Sequence, residues 1–308
     1  MLLPTSRIAT NVLEAGDADG VPVIFVHGNV SSSVFWARAM AALPAGFRAL
    51  APDLRGFGAS DSTPVDATRG VRDYSEDLLA LLDALGLESA HFVGWSLGGG
   101  VILQLLLDAP TRVRSLTLVN PVSPLGFGEY ASGAGCVHPE FLKHLAAGDT
   151  SADSPFSPRN VLLAHYVRPG FVPDDVDALV DGMNTTVVGA DNYPGDVVPS
   201  DEPPGFVPGT RGPINALAPV HFRIDDLSGV DPAPPILWIR GAEDVIVSDT
   251  SLYDLAEDGA KQPMVAQTRT VLGTYPGPVA EVVIAHSGHG PHLDQPAEFD
   301  AALHRHLG

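Results

Sequence analysis

The chain has 308 residues, 45% hydrophobic and 18% charged, a balance that supports a buried core and excludes a disordered acidic chain. Seventeen basic against 37 acidic side chains leave a formal charge of −20, so the surface repels phosphate backbones, and no cluster of Lys and Arg offers nucleic acid a patch. The single cysteine, Cys136, excludes an internal disulfide and a cysteine-rich metal site.

The opening MLLPTSRIATNVLEAGDADG lacks the basic start and apolar run of a secretory signal, and no apolar run approaches the length of a membrane-spanning helix. A mature start and a soluble, cytoplasmic chain with no membrane partner are expected. Short apolar or β-branched runs then recur as strand candidates: Val21–Val26, Phe47–Ala51, Ala90–Trp95, Ser115–Val119, Ile236–Ile239 and Val279–Ala285. Between the early ones, Val34–Leu43, Tyr74–Leu85 and Leu97–Leu107 repeat leucine and alanine at helical steps. Strand and helix in alternation predict an α/β fold with a parallel sheet covered on both faces.

The alternation breaks between Pro121 and Pro234. Helical spacing survives at Pro139–Ala147 and Asp174–Met183, whereas seven prolines and four glycines between Pro194 and Pro219 exclude a long helix or central strand there. The expected organisation is a core of residues 1–120 and 234–308, interrupted by a cap of residues 121–233.

Chemistry concentrates at strand ends. In HFVGWSLGGG, Gly94, Ser96 and Gly98 form G-x-S-x-G between a predicted strand and a predicted helix. A serine on such a tight turn stands exposed above the sheet, and Ser96 is the candidate nucleophile. The N-terminus of the following helix points free N–H groups at the same place, so Leu97 N–H is a candidate oxyanion donor. A serine hydroxyl needs a base, and the base needs an orienting acid. VVIAHSGHGPHLDQP supplies His286, His289 and His292. His289, in the SGHG loop, is the preferred base; His286 stays at the strand end and His292 leads into the last helix. Three histidines at that spacing also suit zinc, but no cysteine or carboxylate accompanies them in the pattern of a metal motif. PPILWIRGAED delivers Asp244 just past a strand, as the orienting acid, with Glu243 and Asp249 as competing carboxylates. After the preceding strand, where an acid can alternatively sit, the chain has Asn120, whose amide cannot stabilise an imidazolium ion. Upstream, VIFVHGNVSS places Gly28 and Asn29 at a strand end. There the Asn29 N–H is the second candidate oxyanion donor, and His27 is a bracing residue. DLRGFGASD, from Asp53 to Asp61, is a structural turn.

Together HGN, DLRGFGAS, GWSLGG, and GAED with SGHGP resemble the α/β-hydrolase superfamily, in its branch of small serine esterases, over roughly residues 20–120 and 233–308. The resemblance implies a mostly parallel eight-stranded sheet flanked by helices. It implies a triad falling on Ser96, Asp244 and His289, a cap inserted after the sixth strand, and no cofactor. Haloalkane dehalogenases and epoxide hydrolases share the HGN start but carry aspartate where this chain has Ser96. The expected activity is hydrolysis of a carboxylic ester through an acyl-enzyme, with a neutral small-molecule ester and water as partners. A lactone, an amide or a carbon–carbon bond beside a ketone would use the same triad, and a ligand-binding protein on this fold is the alternative from another class. Trp95, and Phe127, Phe156, Tyr166, Phe171 and Phe206 of the insertion, are candidates for an apolar pocket, against the alternative of core packing.

Overall fold

The structure, a computed structural model, describes residues 1–128, 137–201, 205–251 and 261–308; Cys136 lies outside the described residues. The strands are β1 (Leu2–Pro4), β2 (Ala9–Gly16), β3 (Val21–Val26), β4 (Phe47–Pro52), β5 (Ala90–Trp95), β6 (Val113–Val119), the short β7 (Val188–Gly189), β8 (Tyr193–Pro194), β9 (Val197–Pro199) and β10 (Phe206–Pro208), then β11 (Ile236–Gly241) and β12 (Val279–Ile284). Eight of them form one sheet in the order β1-β2-β4-β3-β5-β6-β11-β12. From β4 to β12 every neighbouring pair is parallel, while β1 and β2 run antiparallel at one edge.

The six predicted strands are all present. β1 and β2 are additional to them: ATNVLEAG alternates half-buried small and polar residues with only Thr10 and Val12 buried, so it has no apolar run to announce it. The central strands do, because both their faces are covered. Along β3, Ile24 and Val26 enter one apolar cluster with Leu81, Val101 and Leu105, while Val23 and Phe25 enter a second with Trp36, Phe299 and Leu303. This is the two-residue period of a strand dividing its side chains between two layers.

Those layers are helical. α1 (Ala37–Ala41) follows a 3₁₀ turn at Ser33–Trp36, so the single helix expected over Val34–Leu43 is two short pieces. α2 (Arg72–Ala84) and α3 (Leu97–Asp108) cover one face. In the insertion come α4 (Pro139–Ala146), α5 (Pro158–Val161) running into a π-helical turn at Leu162–Tyr166, α6 (Val176–Asn184) and α7 (Pro213–Ala216). α8 (Met264–Leu272), α9 (Pro291–Asp294) and α10 (Pro296–Leu307) complete the chain. α4 starts on a His138 side chain that accepts from Glu140 N–H, and α5 on Ser157 accepting from Asn160 N–H, the capping chemistry that frees a helix from relying on length alone.

Phe141, Leu162, Tyr166, Leu179 and Met183 of the insertion share the cluster of Phe35 and Trp95, while Ala216, Phe222, Ile224, Leu227 and Val230 belong to the cluster of α2 and α3. The segment between β6 and β11 therefore contributes side chains to both apolar clusters. Among the described residues no helix is long and apolar enough to cross a membrane.

Candidate active site

Ser96 joins β5 to α3 with φ +56° and ψ −119°. For a non-glycine residue that conformation costs of order 1–3 kcal/mol and persists only where the surroundings over-determine it. They do so here. The Ser96 N–H donates to Val119 O at 3.1 Å, and its carbonyl accepts from Gly99 N at 3.0 Å and Val122 N at 3.0 Å. The turn closes only because Gly94 lacks a Cβ, which would lie 2.4 Å from Gly98 O.

The HGN segment passes directly against this turn. A Cβ on Gly28 would sit 2.9 Å from Ser96 Cβ, so the main chain leading to Asn29 flanks Ser96 on one side and the start of α3, at Leu97, on the other. His27 holds the segment: its Nε2 accepts from Leu54 N–H at 2.9 Å, which leaves Nδ1–H to donate to Gly28 O at 2.8 Å. Asp53, in the turn-rich segment, accepts from Ser33 N, Ala59 N and Asn11 Nδ2. Both are braces of the loops.

Across the strand ends, His289 Nδ1 lies 2.8 Å from Asp244 Oδ2, with both side chains only 2% exposed. The other carboxylate oxygen of Asp244 accepts from Ile246 N at 2.7 Å and Val247 N at 3.1 Å. The competing groups point elsewhere. Glu243 pairs with exposed His286 at 3.1 Å, and Asp249 accepts from Val265 N and Ala266 N at the start of α8. His292 is buried, stacked on Trp36 at 4.1 Å. The three histidines thus diverge, and among the described residues no group of three or more His, Cys, Asp or Glu side chains is placed to hold a metal ion.

Trp95, Asn120 and Asp294 hold the His289 loop, and the last two carry no sequence motif that marks them for it. The Trp95 indole N–H and the Asn120 amide both donate to the His289 carbonyl at 2.8 Å, and Asn120 Oδ1 accepts from Gly241 N–H at 3.2 Å. Asn120, with φ +37°, so ties the ends of β6 and β11 to the loop after β12. Its amide is useless as a charge partner but suited to joining a donor and two acceptors. Buried Asp294 accepts from Ser287 Oγ, Gly288 N and Arg168 N, each at 2.7 Å. Burial pushes its carboxyl above the usual carboxylate range against these three bonds. The only sequence signal for Asn120 is an amide at a strand end where an acid can alternatively sit.

Ser96 and His289 line one cavity of about 680 Å³, together with Asn29. Of the six aromatic candidates, Trp95, Phe127, Phe156 and Tyr166 line it. Phe171 and Phe206 do not: Phe171 lies under the Arg168 guanidinium at 5.2 Å, and Phe206 pairs with Pro199 in the β9–β10 ribbon. Leu97 is buried and contributes no side chain to the wall, as suits a residue whose N–H is the group of interest. His138 and His165, from the insertion, also line the cavity and carry no motif by which the sequence would single them out.

The Abhydrolase_1 model, described as the alpha/beta hydrolase fold, matches residues 21–296. The chain belongs to the α/β-hydrolase family. Carboxylesterase YbfK of Bacillus subtilis (strain 168) is 37% identical over 112 residues, 36% of this chain and 38% of that protein. Its crystal structure aligns with a TM-score of 0.64 at 20% identity, covering 100% of this chain and 90% of that one, which is a likeness of fold. The 2-hydroxymuconate semialdehyde hydrolase of Pseudomonas sp. (strain CF600) is 37% identical over 115 residues, 36% of this chain and 40% of that protein. The matched regions span about two fifths of the length of these curated relatives.

Burial sets a further property of this family member. It holds the His27 and His292 imidazoles below their ordinary range, His292 well below, while Asp53 and the Gly28 carbonyl partly oppose the shift at His27. In the unfolded chain both protonate near pH 6.5. Their contribution is therefore fully present above about pH 6.5 and is lost as pH falls toward the lower folded values, with a limiting slope of about 1.4 kcal/mol per pH unit for each histidine. Urea midpoints are expected to drop from pH 7.5 to pH 5.5, and His292→Phe should flatten that slope. An unchanged midpoint would mean that these imidazoles titrate alike in the folded and unfolded chain.

Proposed function

We propose that this protein hydrolyses neutral carboxylic esters through an acyl-enzyme on Ser96. The observation that carries the proposal is the buried 2.8 Å contact of Asp244 with His289, at a cavity whose wall also includes Ser96. In the proposed reaction His289 Nε2 takes the Ser96 proton as Oγ attacks the ester carbonyl. His289 keeps its Nδ1 proton, donated in a hydrogen bond to the Asp244 carboxylate that steadies the imidazolium, and the Asn29 and Leu97 N–H groups receive the oxyanion. His289 returns the proton to the departing alcohol, and water, activated the same way, releases the acid.

Residues 121–233 serve as a cap on a core of residues 1–120 and 234–308, its last stretch anchored under the sheet through Phe222 and Ile224. The cavity wall is mostly apolar, with Phe127, Phe141, Phe156 and Ile214 from this segment, and its volume suits a small ligand. The charge of −20 disfavours anionic substrates at long range.

Nitrophenyl acetate, butyrate and octanoate, offered to the wild type and to Ser96→Ala, test the proposal. Turnover and fluorophosphonate labelling are expected in the wild type, and at least a 1,000-fold lower kcat, of the order seen when a triad nucleophile is removed, with no label, in the variant. Equal rates in both would remove Ser96 from the chemistry. A wild type that labels but ignores every ester, while opening lactones, amides or vinylogous diketones, would move the substrate class and keep the triad.

A further inference from the structure

Asn29 is followed by the most awkward residue of the HGN segment. Val30 has φ +44° and is buried at 2% exposure. A β-branched side chain in the left-handed region is a steric outlier, so its surroundings must hold it. Within the loop, Ser31 Oγ–H donates to Gly28 O at 2.8 Å, and a further contact comes from the insertion. The Tyr166 hydroxyl lies 3.1 Å from Asn29 O and 3.4 Å from Val30 O, so one proton serves the two carbonyls that bracket the strained residue. Tyr166 ends the π-helical turn Leu162–Tyr166, a local widening that often marks a functional position.

The same residue reaches the base. The Tyr166 carbonyl accepts from Gly290 N–H at 2.7 Å, and its ring packs on the rings of Trp95 at 5.4 Å and His289 at 6.2 Å. The strap it begins runs close against the His289 loop: a Cβ on Gly288 would meet Val167 C at 2.6 Å, and Arg168 N–H donates to Asp294 at 2.7 Å. Tyr166 therefore touches the HGN loop through its hydroxyl, the turn of Ser96 through Trp95 and the base loop through its carbonyl.

We infer that Tyr166 is a positioning residue: its hydroxyl fixes Asn29 and Val30 so that the Asn29 N–H stays aimed at the developing oxyanion, which makes oxyanion stabilisation depend on the docked insertion. The inference rests on the function proposed above. Without the hydroxyl, the two peptides that flank Val30 lose their shared donor and relax, and the Gly28–Asn29 peptide joined to them, which carries the Asn29 N–H, shifts from its aim, so the loss falls on the transition state and not on ground-state binding.

The test compares wild type, Ser96→Ala, Tyr166→Phe, Val30→Gly and the Tyr166→Phe/Val30→Gly double variant, using nitrophenyl butyrate, a trifluoromethyl ketone and butanol as a competing ligand. Tyr166→Phe is expected to lower kcat by about 10- to 100-fold, short of the full loss of an oxyanion donor, with KM within twofold. Trifluoromethyl ketone affinity should fall by the same factor, because that adduct carries the oxyanion, while butanol inhibition stays unchanged. Val30→Gly removes the strain without the hydroxyl, so the double variant should recover at least threefold over Tyr166→Phe. Near-ultraviolet circular dichroism confirms that each variant is folded. Unchanged kcat in Tyr166→Phe, a loss carried by KM, a loss shared by butanol, or a loss that Val30→Gly leaves untouched overturns the positioning role. An unlabelled, inactive wild type overturns the esterase proposal and this role with it; a labelled, active wild type beside an equally active Tyr166→Phe overturns this role alone.

Discussion

Asp244→Asn is expected to lower kcat on nitrophenyl esters by about 10⁴-fold, the scale at which a triad imidazole is locked in the wrong tautomer. The local hydrogen bonds dictate which way the new amide must lie. The oxygen of Asp244 that accepts from Ile246 N–H and Val247 N–H can be replaced only by the amide oxygen, because an amide nitrogen there would face two donors. The amide N–H₂ then occupies the place of Oδ2, 2.8 Å from His289 Nδ1. It donates where the carboxylate accepted, so His289 must carry its proton on Nε2 and cannot take one from Ser96. Fold and cavity should survive, since the shape is nearly unchanged. Single-turnover rates with nitrophenyl butyrate, read beside the thermal midpoint, check this. A loss below tenfold in a folded variant would mean that Asp244 does not orient the base, and would turn attention to Glu243.

The second large effect is steric. Gly98→Ala would place a Cβ 2.3 Å from Val26 O and 2.6 Å from His27 O, against the main chain of β3 and the HGN segment. Backbone cannot swing aside as the tip of a side chain can, so α3 must retreat from β3 and take Ser96 and Leu97 with it. Overpacking of this kind costs about 3 kcal/mol, and a displacement of about 1 Å between reacting groups is enough for a loss of about 100-fold in kcat/KM. Urea unfolding and fluorophosphonate labelling rates would record both. Gly86→Ala is the control. No atom lies within 4 Å of the position its Cβ would take, and only the left-handed φ of +66° opposes the change, so a loss of about 1 kcal/mol with normal labelling is expected. Equal behaviour of the two variants would show that the close approach of α3 to β3 is not what demands glycine at position 98.

Both effects arise from features legible in the chain. The strand–turn–helix around Ser96 is announced by FVGWSLGGG, because a buried parallel strand must be apolar on both faces and the turn after it tolerates little but glycine on either side of the serine. β11 is legible for the same reason, and β12, though an exposed edge strand, by its β-branched run VAEVVI; with them come the loops that carry Asp244 and His289. β1 and β2 are not, since antiparallel strands near a sheet edge with partly exposed faces need no apolar run. Phe171 and Phe206 show the limit at the cavity: aromatic residues in an irregular segment face the site, a cation or a neighbouring ribbon, and local pattern carries no information on which.

The one-dimensional chain determined the six apolar or β-branched strands and the helices between the early ones, the strained serine turn and the chemical types available at the strand ends, because those follow from backbone conformation and from periodicity within a few residues. Only the tertiary structure decided that Asn120 ties β6 and β11 to the base loop, and that Tyr166, 137 and 136 positions from the two carbonyls it approaches, braces the HGN segment. A hydrogen bond across such a separation depends on how whole layers pack, and no local propensity encodes that.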